Sequence, residues 1–274
     1  MARPPKASVV IPTLNRPESY ANLRRSLDAQ TEQAFEVLTL TERGPLAALR
    51  NRGLRRACGP VVCFLDDDVV CPPTWLVGVL NAFHRPGVVG VSGPAVIPAD
   101  FRSHRALFRY RRFRWVYDQL FLDSPALPGH LTRAGCFTTA AAEATCTYEG
   151  PVDYLEACNM AFHTEALKSI GGFDEVFGGI GDWSEPDAAL RVLRATGGML
   201  WFTPDARLVH QPAGGSTTLL RRSDAHQRLA NARLFHRRYR FHGWRHHAYR
   251  AFLTTYYTAQ GGLAWRSWLR KPTA

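Results

Sequence analysis

The run Val61-Val62-Cys63-Phe64-Leu65-Asp66-Asp67-Asp68 constrains this chain more than any other stretch, because an apolar segment of strand length ends in three adjacent carboxylates. The apolar part reads as a buried strand. Like charges a few ångströms apart repel and force protonation unless a cation neutralises them. Oxygen ligands of this kind suit Mg2+ or Mn2+, and a diphosphate on the same ion completes the charge balance. A calcium loop does not fit, since it needs ligands at alternating positions through a longer glycine-containing loop. A solvated acidic turn is the alternative that requires no ligand.

The segments around the acids alternate between two periods. Residues 7–11 form a β-branched run ended by Pro12, and Thr13-Leu14-Asn15-Arg16-Pro17 leads into a helical pattern through Leu23 and Leu27. Residues 35–40 read as a second strand, 46–57 as a helix and 60–65 as a third strand. This alternation predicts an α/β fold with a mostly parallel sheet covered by helices on both faces. Ligands of such sheets bind beyond the carboxyl ends of the strands, so Thr13, Glu42 and the acids Asp66, Asp67 and Asp68 are expected at one crevice. Further along, residues 73–84 and 164–170 read as helices, as do residues from about 185 to 196. Residues 88–96, 199–202 and 206–209 read as strands, and 102–150 as loops with an inserted segment. A composition change at Gly214-Gly215 divides a body, residues 1–215, from a C-terminal helical extension, residues 216–274.

With 274 residues and 46% apolar content the chain can bury a full core. Its start, Met1 to Lys6, has no apolar stretch of secretory-signal length, and no apolar run reaches the roughly 18 residues of a membrane span. The expectation is a cytoplasmic chain, soluble or surface-bound. The six cysteines lie in or beside apolar runs without zinc-site spacing and read as reduced core thiols. The net charge of +11 resides in the tail: from Arg221 onward twelve Lys or Arg face one acid, Asp224, whereas the first 220 residues balance at 22 against 22. Arginines interleave with aromatics at residues 101–117 and 234–257. Such stretches meet an anionic membrane or a pyrophosphate-bearing acceptor, stack on nucleic acid, or pack the tail onto the body with the arginines in water. The five tail histidines lack metal-site spacing and read as surface residues.

Several segments, in order from about Ser8 to His210, resemble family 2 of the glycosyltransferases, whose members have the Rossmann-like GT-A fold. Ser8-Val9-Val10-Ile11-Pro12-Thr13-Leu14-Asn15-Arg16 is similar to the family's first strand and nucleotide-contacting turn, and Leu49-Arg50-Asn51-Arg52-Gly53-Leu54 to its second helix. Phe64-Leu65-Asp66-Asp67-Asp68 resembles its Asp-x-Asp motif, and Glu156-Ala157-Cys158-Asn159-Met160 its acceptor-side and donor-sugar segment. Trp183-Ser184-Glu185-Pro186-Asp187 aligns with the segment that carries the catalytic base, and Pro204-Asp205-Ala206-Arg207-Leu208-Val209-His210 with the last core strand.

The resemblance implies roles for individual residues. Pro12, Thr13, Asn15 and Asn159 would contact the donor, Asp66 would face the ribose, Asp68 would hold the metal, and Asp67 would assist either one. His210 either completes the metal shell or is structural. Glu185 would be the base, because the chain has Ser184-Glu185 where many relatives have Glu-Asp; Asp187 is the reserve candidate. The second strand passes almost directly into the next helix, so Glu42 stands in for the base-reading acid or that segment is shortened. Arg50, near the start of its helix, either reaches the donor diphosphate or is an exposed helix arginine.

The implied activity is an inverting, metal-dependent hexosyl transfer, assisted by Mn2+ or Mg2+, from a UDP- or GDP-linked sugar to an acceptor hydroxyl. The acceptor would be lipid-linked or a polysaccharide, met at the inner face of an anionic membrane. The rival enzyme is a haloacid dehalogenase-type phosphatase, which also carries Asp-x-Asp after an apolar strand, but usually after the first one. The remaining rival is a non-catalytic protein that binds nucleotide or nucleic acid.

Overall fold

Val9 and Ile11 face one apolar layer and Val10 the opposite one, and all three are fully buried, so the first strand is covered on both sides. A computed structural model describes residues 4–98, 114–123, 127–139, 145–212 and 225–269. In chain order its elements are β1 (Ala7–Pro12), α1 (Pro17–Asp28), β2 (Phe35–Leu40), α2 (Leu46–Arg56), β3 (Val61–Leu65), β4 (Val69–Val70), α3 (Trp75–Ala82), β5 (Val88–Ser92) and β6 (Ala95–Val96). There follow α4 (Arg114–Phe121), β7 (Pro128–Leu131), β8 (Phe137–Thr139), β9 (Gly150–Val152), β10 (Asn159–His163), α5 (Thr164–Ser169) and α6 (Ser184–Thr196). β11 (Met199–Phe202), β12 (Leu208–His210), α7 (Ala225–Arg238) and α8 (Trp244–Leu269) complete the fold.

The main sheet has the order β2-β1-β3-β10-β5-β11-β9. β1, β2, β3, β5 and β11 point one way, so the expected parallel character holds, while β10 and β9 run against them. The registers Ala7 with Phe35 and Ala7 with Val61 align the carboxyl ends of β2, β1 and β3. β10 then places Asn159 opposite Leu65, beside the point where the acids leave β3. Two expected features differ. Residues 88–96 are two strands, because the chain leaves the main sheet at Gly93-Pro94 and β6 joins a smaller sheet, β4-β12-β6. The segment read as loops contains the helix α4 and the β7-β8 hairpin, and β9 begins at its last residue; these strands are too short to show a period.

One layer packs α1 and α3 on the sheet through Leu23, Leu27, Trp75 and Leu76. The other packs α2, α5 and α6 through Leu54, Leu167, Ala188 and Val192. Gly53 lets α2 lie flat on β1, since a Cβ at that position would meet Val10 Cγ1 at 2.2 Å. A third cluster joins α4, the hairpin, Phe177 and Trp183 to Phe235 of α7 and to Tyr249 and Tyr257 of α8. The packing reading of the tail aromatics therefore holds for these three. The change at Gly214-Gly215 and most of residues 101–117 lie outside the described residues. Five cysteines are buried and free as expected, whereas Cys58 is exposed after α2. Among the tail histidines, His236 and His246 are buried against the backbone carbonyls of Gly135 and Ala134, correcting the surface reading for that pair.

Candidate functional site

The acids leave β3 into a short turn, and each takes a different direction. Asp67 turns inward, where Thr13 Oγ1 donates to Oδ2 at 2.7 Å and Arg16 Nη1 to Oδ1 at 2.8 Å. Burial raises its proton affinity, opposed by the Thr13 bond and the Arg16 charge. The same Arg16 nitrogen lies 3.2 Å from Asp68 Oδ2. Asn15, exposed and left-handed at φ 58°, makes the turn that returns Arg16 over the acids; an asparagine tolerates that conformation. Arg16 received no role from the sequence. Its signal was a cation in the β1 turn facing three carboxylates.

His210 arrives through the small sheet. β12 pairs with β4 so that His210 lies opposite Val69, the residue after Asp68, and His210 Nε2 stands 3.1 Å from Asp68 Oδ1. Asp66, Asp68 and His210 offer ligand atoms that all lie within 4.8 Å of one another. Two carboxylates and one imidazole form a donor set that fits Mn2+ or Mg2+. Asp66 is the partly exposed member, so the group opens toward solvent at the carboxyl edge of the sheet.

Glu185 sits in the first turn of α6 and is 7% exposed. Pro186 is tolerated beside it because the first N–H groups of a helix have no partner within the helix. Arg50 Nη1 donates to Glu185 Oε1 at 2.5 Å, and Nη2 approaches Asp66 Oδ1 at 4.0 Å and donates to Ala157 O at 3.3 Å. Burial raises the Glu185 proton affinity, with Arg50 opposing. The exposed-arginine alternative for Arg50 does not hold: it is 1% exposed, with its guanidinium engaged by Glu185 and lying 5.5 Å from the Phe173 ring centroid. It links the base candidate to the acid cluster.

Four further candidates are placed as follows. Asn159 is buried, and its amide is spent on the fold: Trp75 Nε1 donates to Oδ1, and Nδ2 donates to Gly93 O and Ala206 O. It adjoins the acids through the sheet but is corrected to a core residue. Glu42 follows β2, 3.9 Å from Arg52 and 3.8 Å from Arg56. Pro12 pairs with Leu40, and Thr13 N donates to Leu40 O, so both line the same edge. Asp187 is fully buried and bonded to Arg191, Arg238 and Tyr239, which removes it as a base.

The family model for Glycosyl transferase family 2 matches residues 29–138, a stretch that contains the acid run. The O-antigen biosynthesis protein RfbC of Myxococcus xanthus is 26% identical over 255 residues, covering 81% of this chain and 18% of that protein. Over these stretches the chain is similar to family 2 of the glycosyltransferases. A pre-mycofactocin glycosyltransferase of Mycobacterium tuberculosis is 27% identical over 168 residues, 61% of this chain and 30% of that one. The chain thus spans less than a third of the length of the curated relatives it matches. Two solved structures share the GT-A fold. GalNAc-T7 with UDP, GalNAc and Mn2+ aligns at TM-score 0.56 and 14% identity, over 85% of this chain and 47% of that one. The mannosyltransferase PcManGT of Pyrobaculum calidifontis with GDP-Man and Mn2+ aligns at TM-score 0.53 and 16% identity, over 99% and 77%. The acids follow the third strand, whereas the phosphatase reading places them after the first.

Proposed function

We propose that this chain is an inverting hexosyltransferase that moves a sugar from a UDP- or GDP-linked donor to an acceptor hydroxyl. The observation that carries the reading is the arrangement around Arg50, which spans from a buried carboxylate, Glu185, toward the acid cluster at the sheet edge. The two aligned GT-A structures, solved with UDP and with GDP-Man, support a nucleoside diphosphate as the donor's leaving part.

Pro12, Thr13 and Asn15 line the nucleotide side, and Glu42 faces the nucleobase. Asp66 meets the ribose edge and Asp67 fixes the turn through Thr13 and Arg16. A Mn2+ or Mg2+ held by Asp68 and His210, with Asp66 beside them, supplies charge neutralisation for the diphosphate. Glu185 accepts the proton of the acceptor hydroxyl as that oxygen bonds to the anomeric carbon. The bond from that carbon to the diphosphate oxygen breaks on the opposite face, and configuration inverts. Burial suits Glu185 to this work, because a carboxylate with raised proton affinity is the stronger base.

Replacing Glu185 by Gln is expected to lower turnover about 10^2- to 10^4-fold with nucleotide affinity kept. In the parent the acid limb of the rate profile lies above the ordinary carboxylate value of 4.5, since a raised pKa keeps the base protonated to higher pH. Turnover preserved in the Gln variant, or an unshifted limb, contradicts the assignment.

In this reading residues 1–215 are the catalytic body and 216–274 the extension, which packs on the body through Phe235, Tyr249 and Tyr257. The acceptor is lipid-linked or a polysaccharide, reached at the cytoplasmic face of an anionic membrane. No helix among the described residues is long and apolar enough to cross a bilayer. The exposed Trp244, with Arg245 stacked 5.5 Å from its ring centroid, and the exposed Arg240 would make the contact. Cosedimentation with phosphatidylglycerol vesicles but not phosphatidylcholine vesicles supports it, and equal recovery with both refutes it.

A further inference from the structure

Outside the cleft, polar contacts concentrate where tail helix α7 meets the segment leading into α6. That segment is conformationally demanding: Gly171, Gly172, Gly179, Gly181 and Trp183 all have φ between 66° and 78°. Glycine adopts this region freely and so contributes little to fixing a shape. The grip comes from α7. Arg228 pairs with Asp182, Asn231 Nδ2 donates to Gly178 O at 3.1 Å, and the Phe235 ring packs 5.0 Å from that of Trp183.

The end of α7 reaches furthest. Arg238 Nη1 donates to Asp187 Oδ1 at 2.6 Å, and Nη2 donates to Asp174 Oδ2 at 2.7 Å. The Tyr239 hydroxyl donates to the same Asp187 oxygen at 2.9 Å, while Arg191 Nε takes the other at 2.7 Å. A fully buried carboxylate is tolerated only with such a set of donors. Asp187 stands two residues after Glu185, about 200° around the helix axis. The first turn of α6 is therefore held on two sides, by Arg50 at Glu185 and by Arg238 at Asp187.

We propose that Arg238 is a positioning residue for Glu185: it locks the first turn of α6 to the Asp174 turn, so the tail completes the site. The inference rests on the reading of Glu185 as the base. Arg238 acts through Asp187, not by contact with the reacting atoms. The tail is then part of the machinery as well as a cover for apolar surface.

The test compares Arg238→Gln, Arg238→Lys and, as a charge control, Arg237→Gln. Release of nucleoside diphosphate from UDP-glucose and GDP-mannose with Mn2+ is followed, water serving as acceptor, together with hydrogen exchange by mass spectrometry. For Arg238→Gln the expected result is a kcat at least about tenfold lower, with donor KM and nucleotide Kd within about twofold of the parent. Exchange quickens across residues 171–190 and not across 7–12 or 61–70. Arg238→Lys recovers part of kcat, because one ammonium satisfies one of the two carboxylates, and Arg237→Gln matches the parent. A parental kcat in Arg238→Gln overturns the proposal, as does a joint loss of kcat and nucleotide binding with exchange faster throughout. Glu185→Gln, measured alongside, separates the two readings. If it keeps turnover, the base assignment fails; if it is inactive while Arg238→Gln is not, only the positioning role fails. Where neither sugar nucleotide is hydrolysed, exchange over 171–190 decides alone: unchanged overturns the proposal, and locally faster supports it.

Discussion

Three adjacent aspartates have three distinct environments, and that divergence is what turns an acidic run into a site. Asp67 is spent on Thr13 and Arg16, whereas Asp66 and Asp68 remain grouped with His210. Asp67→Asn is accordingly expected to weaken the hold on the β1 turn, lowering nucleotide affinity about tenfold while keeping metal dependence, which calorimetry reads directly. Affinity equal to the parent, or loss of metal dependence, contradicts this. The acids were legible in the sequence because apolar strand and charge cluster are contiguous. Arg50 and Asn159 were not, since their partners lie far along the chain: Glu185 is 135 positions from Arg50, and Trp75 is 84 from Asn159. A helix arginine beside an Asn reads as surface until the fold brings a carboxylate to it.

At the scale of elements, close approach decides more than propensity. α2 carries Arg50 and lies on β1 at Gly53, where Val10 leaves no space for a methyl group. Gly53→Ala is expected to destabilise the fold by about 1–3 kcal/mol through overpacking, as a lower urea midpoint with an unchanged slope. A midpoint equal to the parent's contradicts that packing. The βα alternation up to β3 was legible because each period persists long enough to be counted. The insertion of β10 between β3 and β5 was not, for an apolar run carries no mark of strand direction. The pairing of β12 with β4, which delivers His210, rests on strands of three and two residues, too short for a period to show.

For the whole molecule, the tail binds body and site together. His236 of α7 is buried against Gly135 O, and burial depresses its pKa from 6.5 to about 4. The unfolded chain therefore takes up a proton between those values that the folded chain does not, so stability falls as pH drops through that window. Melting temperature should decrease from about pH 7 to about pH 4.5, less steeply in His236→Gln; identical slopes would remove His236 from the account. Sequence composition marked the tail as basic and aromatic, but not which aromatics are buried, because Phe235 and Tyr249 face a cluster assembled from α4, the hairpin and the α6 approach. In the proposed function the acid cluster holds a metal that binds a nucleoside diphosphate. Calorimetric titration with UDP and with GDP, with and without Mn2+, on the parent and on Asp68→Ala tests it most directly. Mn2+-dependent binding of one nucleotide that Asp68→Ala abolishes is expected; binding that ignores Mn2+ or survives in Asp68→Ala, or no binding of either nucleotide, contradicts a metal-held diphosphate.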